Sequence, residues 1–282
     1  MEFRPTQTSP QHLDAYSGLF QQCFPNASGL SPAYLKWLYV DNPEGGVVGF
    51  DAWEGDALAA HYVCIPAAAS VNGQASRVLL SLNTATHPDF QGKGLFTKLA
   101  DATYQRGADE GFRGVYGVAN ANSTPGFIRK LGFELVRPLD ALIGFGNIDS
   151  DRSTDSDRTS FRRVWDSRSV AWRISNPVRR YRLVGASGDI VGAQASTGKF
   201  GLVAWSELPR DAVGQLEIGR SSPALRLHLG LRPKNQSRSG VWFDIPQRFR
   251  PSPLNLIYRG LSASESIDKD MVTLGQLDFD AF

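Results

Sequence analysis

The chain has 282 residues, 41% of them hydrophobic, enough for a core in one large domain or two of ordinary size. Its 30 Lys and Arg stand against 28 Asp and Glu, a formal net charge of +2, so neither a nucleic acid nor a membrane surface is indicated as a partner. The N-terminal stretch lacks the apolar core of a signal peptide, and no apolar run is long enough to span a membrane. The two cysteines, Cys23 and Cys64, do not have the spacing of metal ligands. We therefore expect a cytoplasmic protein with buried thiols and no metal.

The first half of the chain predicts helices and strands in alternation. Two helices come first, 9–24 with Ser9 as N-cap and 31–43 with Ser31 before Pro32. The later segments are, in order, strands at 46–53, 57–65 and 76–87, a helix at 95–111, a strand at 114–120, a helix at 124–132 and a strand at 133–146. This order predicts a mixed sheet with helical crossovers, an α/β chain of the α+β mixed-sheet kind.

A polar segment divides the chain. Residues 147–158, "NIDSDRSTDSDR", are dense in Asp, Ser and Arg and are predicted to be a linker between a domain at 1–146 and a smaller one at 159–282. The second part echoes the first: "LKWLYVDNP" (35–43) matches "VAWRISNP" (170–177), and "WEGDALAAH" (53–61) matches "ASGDIVGAQ" (186–194). This order of matches predicts an internal duplication; coincidence between common turn signals is the alternative.

The segment "THPDFQGKGLF" (86–96) places two glycines and a lysine between a strand and a helix. It is not a nucleotide P-loop, because Lys93 is followed by Gly94 and no glycine lies five positions before Gly92. The dinucleotide pattern fails too, since Thr97 stands where its third glycine is required. What remains is a turn whose backbone N–H groups hold a pyrophosphate at a helix N-terminus, or a plain strand-to-helix turn.

The stretch 81–134 resembles the core of the GNAT superfamily of acyl-CoA-dependent N-acetyltransferases. Gln91-Gly92-Lys93-Gly94-Leu95-Phe96 follows a strand as the family's [QR]-x-x-G-x-[GA] motif does, and "VYGVANANSTPGFIRKLGFE" has its second strand and small helix ending in "LGF". The resemblance covers about residues 1–146. It implies a GNAT fold with a strongly bulged central strand, here followed by a smaller GNAT-like pseudo-repeat that lacks the loop. Two positions depart from the family pattern: Phe96 stands where Gly or Ala is usual, and Ile128 where many members have a tyrosine acid.

The resemblance implies a set of donor-binding residues. Gln91 through Phe96 would take the pyrophosphate of acetyl-CoA, the strand edge with Asn83 would face the pantetheine arm and the thioester, and Asn122 would meet the thiol end. The whole set is Asn83, Thr84, Ala85, Thr86, Gln91, Gly92, Lys93, Gly94, Leu95, Phe96, Asn122, Ser123 and Phe127. The alternative for Asn122 is a helix N-cap, with Ser123 or Thr124 able to cap instead.

Candidates for the chemistry and for the acceptor are fewer. An attacking amine must lose a proton, and His61, in a strand interior, is the candidate base, with Asn83 and Tyr116 as further catalytic candidates. The alternative for His61 is a hydrogen-bonded sheet histidine. Tyr34 and Trp37 on an early helix, together with Tyr62, are candidates for the acceptor site; core packing is the alternative for these aromatics.

We therefore expect an enzyme, a GNAT-type acetyltransferase that uses acetyl-CoA as co-substrate and no metal. The acceptor would be the primary amine of a small molecule, and the resemblance to a GNAT subgroup linked to surface polysaccharides suggests an amino sugar or a sugar nucleotide. The sequence is compatible with a homodimer. The alternative from another class is a non-catalytic acyl-CoA-binding or regulatory module on the same fold.

Overall fold

The computed structural model of the chain describes residues 1–26, 29–149, 159–221, 224–234, 236–250, 253–262 and 265–280. The predicted linker, 147–158, lies outside the described residues except for its first three positions. Among the helices in these described ranges, none is long and apolar enough to cross a membrane.

The elements of the first half are β1 (Glu2–Pro5), α1 (Pro10–Cys23), α2 (Pro32–Tyr39), β2 (Val48–Glu54), β3 (Ala57–Val71), β4 (Gln74–Thr86), α3 (Leu95–Asp109), β5 (Gly114–Asn120), α4 (Thr124–Lys130), β6 (Glu134–Pro138) and β7 (Asp140–Phe145). Those of the second half are β8 (Phe161–Arg163), α5 (Ser167–Ile174), β9 (Tyr181–Gly185), β10 (Ile190–Ser196), β11 (Leu202–Pro209), α6 (Arg210–Val213), β12 (Leu225–Leu231), β13 (Val241–Asp244), β14 (Leu254–Gly260) and β15 (Val272–Gly275). Short 3-10 turns lie at Pro88–Phe90, Gln247–Phe249 and Gln276–Asp278.

Local signals place most of the first-half elements where the sequence predicts them. The Ser31 hydroxyl accepts the backbone N–H of Tyr34 and so caps α2. Ser9 stands at the N-cap of α1 but makes no side-chain cap there, because its hydroxyl lies 2.7 Å from His12 Nδ1. The single strand predicted for 133–146 is wrong: the chain forms two strands, β6 and β7, which join different sheets.

The first sheet has the order β1-β2-β3-β4-β5-β14-β6. Neighbours run antiparallel except β4 and β5, which are parallel. Its strand β14 comes from the far end of the chain and is inserted between β5 and β6. Helices α1 and α2 cover one face of this sheet, and α3 and α4 cover the other, each over its own apolar cluster.

The second sheet repeats this plan. Its order is β9-β10-β11-β12-β7-β13, with one parallel pair, β11 and β12, in the place of β4 and β5. Here β7, from the first half, is inserted between β12 and β13, as β14 is in the first sheet. The halves therefore exchange one strand each. Strands β8 and β15 connect the two sheets into one.

Two tryptophans at matching positions of the repeat join the halves. The indole rings of Trp37 on α2 and Trp172 on α5 stack with centroids 4.9 Å apart. Each indole N–H donates to the other residue's backbone carbonyl, both at 2.9 Å. This reciprocal contact is what a local two-fold relation between the halves produces, and it agrees with the duplication that the sequence predicts.

Candidate active site

An opening forms where β4 and β5 separate. The two strands pair from Val78–Gly114 to Ser81–Gly117 and not beyond, although β4 continues to Thr86 and β5 to Asn120. Along its other edge β4 stays paired with β3, with a register shift between His61 and Val63. Thr84, Ala85 and Thr86, three of the predicted donor-binding residues, lie along the unpaired edge of β4.

The opening centres on a bulge at Asn83. This residue has a φ of +49°, one of the few positive values at a non-glycine residue in the described part of the chain. A β-bulge bends its strand and increases the local twist. The separation of β4 from β5 therefore follows from the backbone conformation near Asn83.

The Gly-Lys-Gly loop stands at the N-terminus of α3. Gly92 and Gly94 both adopt left-handed conformations, with φ of +77° and +70°, and Gly94 is the helix N-cap. Residues 91–94 are exposed, and a Cβ at either glycine would meet no atom within 4 Å. Successive N–H groups in such a turn, together with the positive end of the helix dipole, suit an anion. Lys93 lies at the rim, with Nζ 4.7 Å from the centre of the Phe90 ring.

Beneath the loop lies an aromatic layer that accommodates Phe96. Leu95 is buried and Phe96 is half-buried, with its ring edge-on to Tyr62 and to Phe127 at centroid distances of 5.8 and 5.3 Å. A Cβ at Gly126 would lie 3.7 Å from this ring, an ordinary van der Waals contact, so α4 packs closely on Phe96 at this position. The bulky residue in the motif is therefore packed downward into the core and not over the loop.

Tyr62 belongs to a hydroxyl cluster at the apex of the opening. Its OH lies 2.7 Å from Ser81 Oγ and 2.5 Å from the OH of Tyr104. Burial raises the pKa of Tyr62 well above its ordinary value, so its phenol stays protonated near neutral pH. Because Ser81 is the last residue of β4 that pairs with β5, this cluster marks where the opening begins.

On the β5 side, the N-cap residue of α4 is Ser123, which makes no side-chain cap, and Asn120 holds the turn before it. The Asn120 side-chain oxygen accepts the backbone N–H groups of Asn122 and Ser123, both at 3.0 Å. Thr124 Oγ1 donates to the Asn120 carbonyl, which fixes the start of α4. The Asn122 side chain is exposed at the end of β5 and is not the cap.

His61 is held in a buried polar network. Its Nδ1 lies 2.6 Å from Asp51 Oδ1, and Asp51 Oδ2 accepts the hydroxyl of Tyr16 at 2.6 Å. The Tyr16 ring stacks on the imidazole with centroids 4.0 Å apart. His61 is 0% exposed, so the imidazole does not face the opening directly.

Tyr39 connects His61 to the bulge. The Tyr39 hydroxyl lies 3.1 Å from His61 Nε2 and accepts Asn83 Nδ2 at 3.0 Å. Burial raises the pKa of Tyr39 well above its ordinary value, and the phenol is therefore neutral. The structure thus brings together two catalytic candidates, His61 and Asn83, through a residue that the sequence analysis did not single out.

The remaining candidates lie elsewhere. The Tyr116 hydroxyl donates to the backbone carbonyl of Asp278 and accepts Arg163 Nη1, both at 2.9 Å, in the contact between the halves. Trp37 is 5% exposed because it packs on the second half. Tyr34 is half-buried and donates to Asp280 Oδ2 at 3.2 Å.

Asp51, Tyr16 and Tyr39 are the residues of this network that the sequence analysis missed. One signal was available, because an aspartate inside an apolar strand is unusual and needs a partner. Nothing in the local sequence showed that the partner would be His61. Within the described ranges no group of three or more His, Cys, Asp or Glu side chains could hold a metal ion.

The comparisons with known proteins agree with this geometry. Residues 4–136 match the family model described as acetyltransferase (GNAT) domain. No curated protein sequence matches the chain.

Solved structures share the fold over nearly the whole chain. A GCN5-related N-acetyltransferase from Anabaena variabilis is 12% identical, with 93% of this chain and 73% of that one covered at a TM-score of 0.58. A probable N-acyltransferase from Enterococcus faecalis is 10% identical, with the same coverage and TM-score. Eis1 from Mycobacterium abscessus is 10% identical, covering 93% and 74% at a TM-score of 0.56. The likeness spans both halves, so the fold class predicted from the sequence is confirmed.

Proposed function

Starting from the GNAT acetyltransferase domain that residues 4–136 of this chain form, we propose that the protein transfers an acetyl group from acetyl-CoA to the primary amine of a small molecule. The observation that carries the proposal is the combination of two left-handed glycines at the start of α3 with the separation of β4 from β5. The first suits a pyrophosphate, and the second suits an extended arm that pairs with a strand edge.

The donor would lie with its pyrophosphate on Gly92, Lys93 and Gly94 and its pantetheine arm between β4 and β5. The thioester would then stand beside Asn83 and Thr84. A backbone N–H near the bulge can stabilise the oxyanion of the tetrahedral intermediate, because a fixed dipole needs no reorganisation during the reaction. The aromatic layer packs directly below the loop that would hold the pyrophosphate.

The reaction is direct attack by the neutral amine on the thioester carbonyl carbon. The C–N bond forms and the C–S bond breaks, the proton that the amine nitrogen loses passes to water, and coenzyme A leaves as a thiolate. Ile128 stands where many relatives have a tyrosine acid, and it is half-buried beside the aromatic layer. We infer that the thiolate takes its proton from water, which a thiol with a pKa near 8.5 allows close to neutral pH.

We propose an amino sugar or a sugar nucleotide as acceptor, bound on the face of the sheet that α1 and α2 cover. Tyr34 is a half-buried aromatic residue of α2, and its hydroxyl donates to Asp280. A polar aromatic surface of this kind suits a sugar ring.

The second candidate is a non-catalytic module that binds acyl-CoA. Two observations favour it: Ile128 replaces the usual acid, and His61 is fully enclosed. Such a module would bind the donor without consuming it.

A thermal melt with and without acetyl-CoA tests the proposal first. Ligand at a hundred times its dissociation constant should add about 2.7 kcal/mol of stability. Release of free thiol from acetyl-CoA with a panel of amines, beginning with amino-sugar nucleotides, then separates the two candidates. Binding without thiol release for any amine favours the module, and the absence of a shift with acetyl-CoA and CoA refutes both.

A further inference from the structure

The buried network around His61 ends at the bulge in β4. Asp51 accepts the Nδ1 proton of His61, so in the neutral ring Nε2 is an acceptor, and the Tyr39 hydroxyl donates to it. The Tyr39 oxygen can then accept the Asn83 amide, as the 3.0 Å contact shows. With a neutral imidazole each of these contacts has one donor and one acceptor, so the hydrogen bonds run in a single direction from Asn83 to Asp51.

Asn83 is the residue that this chain holds. A left-handed conformation at a non-glycine residue is strained and persists only where the surroundings enforce it. Asn83 is half-buried and has no partner in the β3–β4 register, which passes from Val63–Leu82 to His61–Ala85. The hydrogen bond to Tyr39 supplies a constraint on Asn83 through a side chain that is 0% exposed.

The second half of the chain serves as an internal comparison. Asp51 lies opposite His61 in the β2–β3 pair, and Arg182 lies opposite Gln194 in the β9–β10 pair. Tyr39 follows Trp37 by two positions, as Ile174 follows Trp172. The three network positions of the first half therefore correspond to Arg182, Gln194 and Ile174, which cannot form the same chain of hydrogen bonds.

The bulge is missing from the second half as well. Strands β10 and β11 pair in one unbroken register from Ile190–Pro209 to Ser196–Val203. In the described part of β11, no residue has a positive φ. Strands β11 and β12 also stop pairing, after Ala204–Leu227, and beyond that point Gly275 pairs with Gly230 while the Leu277 N–H donates to Ser206 Oγ. The half without a phosphate loop thus lacks the network and the bulge, and β15 pairs with the edge of β12 where its two parallel strands separate.

We propose that Asp51, His61, Tyr39 and Asn83 form a hydrogen-bonded clamp that holds the β4 bulge open for the acyl-CoA arm. These are positioning residues, since His61 and Tyr39 act on the donor only through Asn83. The inference rests on the proposed function, because it assumes that the opening receives acyl-CoA. It assigns His61 a role that its burial permits, whereas direct contact with an amine would require the core to open.

The test is the dissociation constant for CoA, measured by titration calorimetry on the whole protein. Tyr39→Phe should weaken CoA binding by about tenfold, because the phenyl ring leaves His61 Nε2 and the Asn83 amide without a partner. Tyr181→Phe is the matched control: Tyr181 is also buried and its hydroxyl donates to a carboxylate of Asp280 at 2.9 Å, but it lies on β9. This control should change the constant by less than about twofold.

A pair of variants at the bulge separates clamping from a general loss of stability. Asn83→Ala should weaken CoA binding about fivefold more than Asn83→Gly, because glycine adopts a positive φ without help. In the Asn83→Gly background, Tyr39→Phe should have no further effect on CoA binding, although it still lowers the melting temperature. These two variants also cover the case in which Tyr39→Phe alone does not fold.

The outcomes are distinct. If the wild type binds CoA and Tyr39→Phe binds it as tightly as Tyr181→Phe does, the clamp is refuted and the proposed function stands. Additive effects of Tyr39→Phe and Asn83→Gly on CoA binding also refute the clamp. If the wild type does not bind CoA, the clamp and the proposed function both fail.

Discussion

Replacing Gly94 with alanine adds one methyl group at the start of α3, where the backbone has a φ of +70°. No atom lies within 4 Å of the new Cβ, so the cost comes from backbone conformation and not from a clash. An L-residue with a side chain pays about 1–2 kcal/mol in this region. The loop can relieve that strain by leaving the left-handed conformation, and a bound pyrophosphate would have to restore it.

We therefore expect Gly94→Ala to weaken CoA binding by about 5- to 30-fold, the strain energy expressed as a ratio of dissociation constants. Gly111→Ala is the matched control. Gly111 follows the other end of α3, has a φ of +78° and also has no atom within 4 Å of an added Cβ. Both variants should lose about 1 kcal/mol of stability, and only Gly94→Ala should lose CoA affinity. Calorimetric titration with CoA measures the difference; equal CoA affinities for the two variants would refute the loop assignment.

Three further predictions concern stability and reactivity. Trp172→Ala should lower the free energy of unfolding, measured in urea, by about 3–5 kcal/mol, because the Trp172 ring packs on Trp37. A single unfolding transition should persist, because the halves exchange strands. Two separate transitions would contradict this. Asp166 caps α5 through the Ser169 N–H at 2.8 Å, and these hydrogen bonds lower the carboxyl pKa. The cap is therefore fully present above about pH 4 and is lost as the pH falls through the lowered pKa, so Asp166→Ala should cost about 1 kcal/mol at pH 7 and less at pH 3. An equal cost at both values would count against the cap. Burial raises the pKa of the Cys64 thiol to about 12, so a disulfide reagent at pH 8 should modify Cys64 only after unfolding, and rapid labelling of two thiols in the native protein would show the assignment to be mistaken.

The parts of the structure that the sequence predicts well are those determined by neighbouring residues. Ser31 and Pro32 mark the start of α2, and the two glycines of the loop mark the start of α3, because capping and left-handed turns depend on only a few positions. The sequence match between the segments around Trp37 and Trp172 also has a physical basis, since the two tryptophan rings stack on each other between the halves. The wrong prediction at 133–146 comes from the same limit: the apolar pattern runs on through Leu139, and only distant partners divide it into two strands.

The network around His61 could not be predicted in this way. Asp51 was noticeable as a carboxylate inside a strand, but its partner depends on the register between β2 and β3. Tyr39 has the sequence context of a core aromatic, and the contact with Asn83 needs a bulge that neither residue encodes alone. Interactions of this kind link three elements that are far apart in the chain, so no local pattern reports them.

The exchange of strands sets an order of events for a chain that emerges from the ribosome. Strand β6 ends at Pro138, but β14, which must lie between β6 and β5, begins at Leu254. At 5–20 residues per second, the first sheet waits roughly 6–23 s for its missing strand. During that interval the edges of β5 and β6 carry unpaired backbone groups, an exposed template for pairing with other chains. The first sheet is therefore complete only after β14 has been synthesised.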